Sequence, residues 1–246
     1  MRPALAFLVL AGLLAPLAKA QVEPHQHHPH HQHHGQPLPS NPAGAAAAAS
    51  GSTDHGTDHS DHGHDIGPSG STYDLRWLDA MVQHHTGALR MGEFVFNIGQ
   101  PGVGALAHSI WNDQAQEIKA MGQWRKAWYP EAPPYPVTLK SGGNPDSLAD
   151  LIRMGPAQIE AMRMGGSTPS KNNRVSWFLE GMVFHHGGAL QMAHDALTKT
   201  SNPTIRRLAR QIIVAQRREI IVLRRMLKRD GFDKPEYYQY DNLFAL

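Results

Sequence analysis

Two segments of this chain carry the same arrangement of donor side chains, Met81-x-x-His84-His85-x-x-x-x-x-Met91 and Met182-x-x-His185-His186-x-x-x-x-x-Met192. At about 100° per residue, a helix sets Met81, His84, His85, Ala88 and Met91 within an arc of roughly 120°. Met182, His185, His186, Ala189 and Met192 repeat the arrangement. Trp77 and Val95 share the first face, while Asp79, Gln83, Thr86 and Arg90 lie opposite, so the pattern turns the histidines inward and those four toward water. Adjacent imidazoles on a buried face are costly unless each nitrogen finds a partner, and protonated neighbours are worse. A metal ion removes that cost. Thioethers beside imidazoles make a soft ligand set, suited to Cu(I), acceptable to Cu(II) through the histidines, and poor for magnesium or calcium. A methionine stripe alone ordinarily means core packing. The His-His pair bracketed by Met, twice over, turns the reading toward metal.

The elements that must hold these residues are helices. Residues 77–91 align without a gap to 178–192 at an offset of 101, and Gln114-x-x-Glu117-Ile118 matches Gln216-x-x-Glu219-Ile220 at an offset of 102. Apolar residues recur at three- and four-residue intervals over 73–97, 103–128, 147–164, 174–197 and 205–229, and no convincing alternating strand stands out. Gly99-Gln100-Pro101-Gly102 and Ser201-Asn202-Pro203 separate paired helices, and 130–143 forms a long loop between the halves. The expectation is an all-α fold: a four-helix bundle of two duplicated hairpins over 71–232, with 147–164 as a crossover helix and 233–246 as a C-terminal tail. Glu117 and Glu219 fall on the inner side of their helices, where they orient an imidazole from behind, ligate a harder metal directly, or reach solvent at the bundle edge. His108 and His194 fall off these faces and read as surface histidines.

Outside the bundle, residues 1–20 read as a cleaved export signal, with Arg2, an apolar stretch and Ala18-Lys19-Ala20 before the cut. Gly12 and Pro16 interrupt an apolar run already short of the roughly 20 residues that span a bilayer, so no stable membrane insertion is expected. Residues 21–70 are low in complexity and hold eleven histidines, four of them interleaved with aspartate; too little apolar surface offsets the entropy of ordering them. They read as a disordered tail able to collect divalent metal. The chain has no cysteine, which excludes disulfides, thiolate ligands and an N-terminal lipid anchor. Without Arg2 and Lys19 the 23 basic residues fall to 21, matching 21 acids, so overall charge marks no polyanionic partner and nucleic acid is not expected. The last helix does carry a stripe of Arg206, Arg207, Arg210, Arg217, Arg218, Arg224, Arg225, Lys228 and Arg229 over about 140°. Such a stripe is ordinarily a solvated face.

With its repeated Phe/Trp-Leu-x-x-Met-x-x-His-His-x-x-Ala-Leu-x-Met and Gln-x-x-Glu-Ile elements, the sequence over 73–230 resembles the domain of unknown function 305 family. The resemblance implies an exported protein with a ferritin-like bundle that binds copper in connection with copper tolerance. Carried across position by position, it implies Met81, His84, His85, Met91, Met182, His185, His186 and Met192 as ligands. The family's proline before the His pair is Gln83 in one copy and Phe184 in the other, and its early aspartate is Asp74 in the first and Val175 in the second. These departures set the two motifs apart.

The expected function is therefore a periplasmic or secreted copper-binding protein, a buffer or carrier rather than an enzyme, exchanging copper ions with a copper transporter or cuproprotein. One rival is a ferritin-like di-iron or oxidase-type enzyme, which calls for Glu-x-x-His pairs that neither Asp79 to His84 nor Glu180 to His185 provides. The other is a metal-free helical interaction module that works through its basic last helix.

Overall fold

The computed structural model describes residues 64–99 and 102–246. The expected export signal and nearly all of the histidine-rich tail lie outside those residues. Five α-helices dominate: α1 (Tyr73–Glu93), α2 (Val103–Trp128), α3 (Pro156–Arg163), α4 (Arg174–Lys199) and α5 (Pro203–Arg229). Two short strands, β1 (Val137–Leu139) and β2 (Leu151–Arg153), pair antiparallel with Thr138 opposite Ile152. Both α3 and α5 start on a proline, whose missing N–H costs nothing in the first turn. Asn202 caps α5 by accepting from the Thr204 N–H at 3.0 Å.

Helix α1 packs on α2, α4 packs on α5, and the two hairpins meet along α1 and α4. The order of contacts fixes the crossing. The Trp77 indole donates to the Met192 carbonyl at 2.9 Å, a His185 nitrogen meets the His84 carbonyl at 2.9 Å, and the Met91 methyl lies against Gly181. As numbers rise on α1 they fall on α4, so the two helices run antiparallel about a local two-fold between His84 and His185. One core joins them, with Trp77, Leu78, Phe178, Leu179, Ile212 and Ile220 among its buried residues.

Several expectations need correcting. The stretch 147–164 is not one helix: Leu148–Asp150 is a single 3₁₀ turn, strand β2 follows, and α3 begins only at Pro156. Proline cannot sit inside a helix and keeps the residue before it extended. Residues Val137, Leu151 and Leu75 form a small core of their own beneath the β-hairpin, a strand signal too short to register as alternation. Helix α1 stops at Glu93, not 97.

Its face opposite the histidines is covered over its first half, while Arg90 remains exposed. Asp79 and Gln83 are buried beneath β1, the preceding loop and α3, and 15 of the 21 residues of α1 are buried against 6 of 26 in α2, which makes α1 the central helix. The C-terminal residues also pack. Tyr237 is buried on α4, and the 3₁₀ turns Pro235–Tyr238 and Asp241–Leu243 both contact that helix.

The basic stripe is partly consumed by this packing. Arg224 is buried, pairs with Asp241 at 2.6 Å and lies over the Tyr238 ring, and Arg217 donates to the Phe244 carbonyl at 2.6 Å. His108 is exposed as expected, but His194 is half-buried, with a ring nitrogen 2.9 Å from the Leu243 carbonyl. Among the described residues no helix is long and apolar enough to cross a membrane.

Candidate metal centre

Helices α1 and α4 deliver His84, His85, His185 and His186 to the crossing point, and all four side chains are fully buried. Ring centres are 6.3 Å apart for His85 and His84, 3.9 Å for His84 and His185, and 6.2 Å for His185 and His186. The paired histidines thus form one group across two helices. Met81, Met91, Met182 and Met192 are buried in the same interface. The antiparallel register carries Met91 to the turn of α4 that starts at Gly181 and Met182. Likewise Met192 meets Trp77, one turn from Met81. The thioethers bracketing each His pair therefore come from both copies of the repeat.

Hydrogen bonding fixes which imidazole nitrogens are available. The Nε2 of His85 donates to Glu117 Oε2 at 2.7 Å, and the Nε2 of His185 donates to the His84 carbonyl at 2.9 Å. A carbonyl or carboxylate oxygen only accepts, so each of these rings carries its proton on Nε2 and keeps a lone pair on Nδ1. Glu219 Oε2 stands 2.7 Å from His186 Nε2 but off the direction of a hydrogen bond. Both partner-helix glutamates thus stand beside a histidine while staying partly open to solvent, and Glu117 alone makes a directed hydrogen bond to its ring. In all four histidines Nδ1 is buried without a hydrogen-bond partner, and His84 lacks one on Nε2 as well. Gln114 and Gln216, the other half of the repeated partner-helix motif, are buried with unpartnered amide atoms too.

Electrostatics at the crossing oppose charge. Burial, and then the neighbouring imidazoles, hold His84 and His185 well below the usual histidine range, so both are neutral near pH 7. On the glutamate side, burial raises the Asp113 carboxyl, and Glu219 and Glu117 add to the shift. Neutral imidazole is the form that binds metal.

Each buried unpartnered nitrogen costs roughly 1–3 kcal/mol. Six such nitrogens, the four Nδ1 atoms and the Nε2 atoms of His84 and His186, take up a large share of the roughly 5–15 kcal/mol that holds a domain folded. A soft cation would satisfy the Nδ1 lone pairs and use the thioethers. Among the described residues, no group of three histidine or carboxylate side chains is arranged to hold an ion by itself, so the thioethers are needed to complete a site. The sequence reading missed His64 and Met164. The His64 ring centre is 5.3 Å from that of His84, and His64 Nε2 is 2.9 Å from Met164 Sδ. Their only sequence signals were the final histidine of the tail and a methionine before Gly165-Gly166.

A family profile described as Domain of unknown function (DUF305) matches residues 74–227, more than half of the chain. Among solved structures, the chain is similar to a DUF305 fragment from Deinococcus radiodurans, at 25% identity over 66% of this chain and 99% of that one, with a TM-score of 0.47. It is also similar to CopM in the Cu(I)-bound form (24% identity, TM-score 0.46) and in the Cu(II)-bound form (25%, 0.46), each over 63% of this chain and 96% of the other. No curated protein matches.

Proposed function

The chain belongs to the domain of unknown function 305 family, and from that premise and the geometry of the crossing we propose that it is an exported protein that binds copper as cargo, buffering or carrying it in metal tolerance. The observation that carries the reading is the set of four fully buried histidines whose Nδ1 atoms have no hydrogen-bond partner, in an interface with four buried methionines. Neutral imidazole and thioether together favour Cu(I), and the burial of all eight donor side chains favours it further over a hydrated divalent ion. Met81, His84, His85, Met91, Met182, His185, His186 and Met192 supply the donors. Glu117 and Glu219 sit behind His85 and His186, and the Glu117 hydrogen bond fixes how the His85 ring faces the crossing. The histidine-rich segment before residue 64 collects copper and the crossing stores it; turnover is no part of the proposal. A periplasmic or secreted location follows from the export signal read at 1–20. The partner that delivers or receives the ion is a transporter or a cuproprotein.

One observation favours a second reading. Glu117 and Glu219 stand 2.7 Å from His85 and His186 and both raise the Asp113 carboxyl, and carboxylate and imidazole are donors that iron also takes, although these groups would have to rearrange to hold an ion together. Metal analysis of the purified, tag-free mature chain decides between them. Copper is the expected result, iron supports the carboxylate reading, and a chain that takes up neither metal overturns both.

A further inference from the structure

Just before α1, residues 64–70 leave the tail and lie on the helices. Arg76 is buried and donates through Nη1 to the Ile66 carbonyl, through Nη2 to the Pro68 carbonyl at 2.6 Å, and through Nε to Thr72 Oγ1 at 3.2 Å. Lys199 Nζ, from the end of α4, holds the Gly67 carbonyl at 2.9 Å, and the Ile66 side chain is buried in the main core. This fastening places His64. Its ring packs against Gly188, where a Cβ would come within 2.4 Å of it, and edge-on to His84. No other residue type at position 188 leaves that space open.

On its other side His64 meets the end of α3. Met164 closes that helix in the left-handed conformation (φ 50°, ψ 28°), donating its N–H to the Glu160 and Ala161 carbonyls. A non-glycine residue there carries a local cost, and such positions persist where the side chain is needed. Glycine would fit without that cost, and the next two residues are glycines. The retained thioether points its sulfur at His64 Nε2 from 2.9 Å, as short as an N–H···O bond although sulfur is the larger and weaker acceptor.

We infer that His64 and Met164 form a third arm of the metal centre, closing over His84 and His185 from outside the repeat, and that His64 is the step by which Cu(I) passes from the histidine-rich segment into the bundle. The inference rests on the copper reading above and extends it to two residues that lie in neither motif; His64 lies outside the family match at 74–227 altogether. The arm brings one imidazole and one thioether, the two donor types already at the crossing. The backbone of each is already fastened, with the two donors 2.9 Å apart and the His64 ring 5.3 Å from that of His84.

The test is an anaerobic Cu(I) titration of the full mature chain under ascorbate, with a chromophoric Cu(I) chelator as competitor and the methionine methyls carrying carbon-13. The Met164 methyl is expected to shift at the same equivalent that moves the His84 and His185 ring signals. His64→Ala and Met164→Leu are each expected to weaken that equivalent about tenfold or more, the usual scale for groups at or just behind a metal. Met164→Gly should weaken binding as well while raising the thermal midpoint, since glycine adopts this conformation freely. If the Met164 methyl stays still while His84 and His185 respond, or if either His64→Ala or Met164→Leu keeps wild-type affinity, the third arm is overturned and the copper reading stands. If His84 and His185 do not respond in the wild-type chain, the copper reading itself fails.

Discussion

The two copies of the repeat present nearly the same inner face and have been buttressed in different ways on the outer one. Position 79 and its counterpart 180 are both acids. Asp79 is fully buried, pairs with Arg125 at 2.6 Å and accepts the Val137 N–H of β1 at 2.8 Å. Glu180 is part-exposed, pairs with Lys234 at 2.9 Å and accepts from the Tyr237 hydroxyl. Four residues on, Gln83 donates to the Tyr135 hydroxyl at 2.6 Å, whereas Phe184 meets the Tyr237 ring edge-on. Each motif helix is therefore steadied by an acid and a tyrosine from a covering segment, the β-hairpin region for α1 and the C-terminal turns for α4. The two copies share their donor faces, and separate segments close over their backs.

The largest predicted contrast is between the two acids. Asp79→Asn leaves Arg125 unpaired in a mostly buried setting and should cost about 3 kcal/mol, the low end for breaking a buried pair. Glu180→Gln, at a part-exposed pair, should stay within about 1 kcal/mol. Denaturant midpoints check both, and equal effects would mean the two backs are alike after all. Burial already pushes the Asp79 carboxyl up against the pull of Arg125, so its pair should fail early on acidification.

A second contrast uses the central histidines, one from each copy. Unfolded, both take up protons below about pH 6.5; folded, His84 and His185 stay neutral. Below that pH the unfolded chain binds more protons, so stability of the metal-free protein is complete above it and falls as the pH drops. The loss approaches about 1.4 kcal/mol per pH unit for each histidine. Single His84→Phe and His185→Phe variants, followed by pH-dependent melting, should each remove half of this slope. Unequal halves would show that the local two-fold does not extend to the electrostatics.

Smaller still is the difference between Gly87 and Gly188, which hold equivalent positions. A Cβ on Gly87 would come within 1.8 Å of the Arg163 carbonyl oxygen, a backbone atom, whereas a Cβ on Gly188 would meet the His64 ring. Gly87→Ala should therefore cost roughly 1–3 kcal/mol of overpacking. Gly188→Ala should cost less stability and instead displace His64, lowering Cu(I) affinity. The finest contrast is at the partner-helix acids. Glu117→Gln breaks a directed hydrogen bond to His85 and should weaken Cu(I) about tenfold, with a lesser effect from Glu219→Gln, whose carboxylate is off the bonding direction. Denaturant midpoints measure the two glycine variants, and chelator competition measures the Cu(I) affinities of Gly188→Ala, Glu117→Gln and Glu219→Gln.

What the sequence made legible follows from periodicity. A repeat without gaps put both His pairs on inner faces, and the four long helices lie close to where the three- and four-residue spacing puts them, whereas 147–164, given the same spacing, divides into a 3₁₀ turn, a strand and a short helix. It could not show that α1 is covered on its second side, because three-residue strands leave no alternation to read and Asp79 and Gln83 look like surface residues until Arg125, Tyr135 and Arg163 reach them. Nor could it show that the copies cross antiparallel, which mixes Met91 with the Met182 turn and brings His84 against His185. His64 and Met164 escaped for a related reason. One sits at the end of a low-complexity run and the other after a short helix, and only the fold brings them within 2.9 Å.

The most direct measurement follows the methyl signals of Met81, Met91, Met182 and Met192 during a Cu(I) titration, in the wild-type mature chain and in one with His84, His85, His185 and His186 all changed to alanine. Cu(I) bound at the crossing must move these methyls in the wild-type chain, and the fourfold variant, folded by its helical circular dichroism, must lose the response. Methyl shifts and a core stoichiometry that survive the replacement unchanged would contradict a copper centre built on the paired histidines.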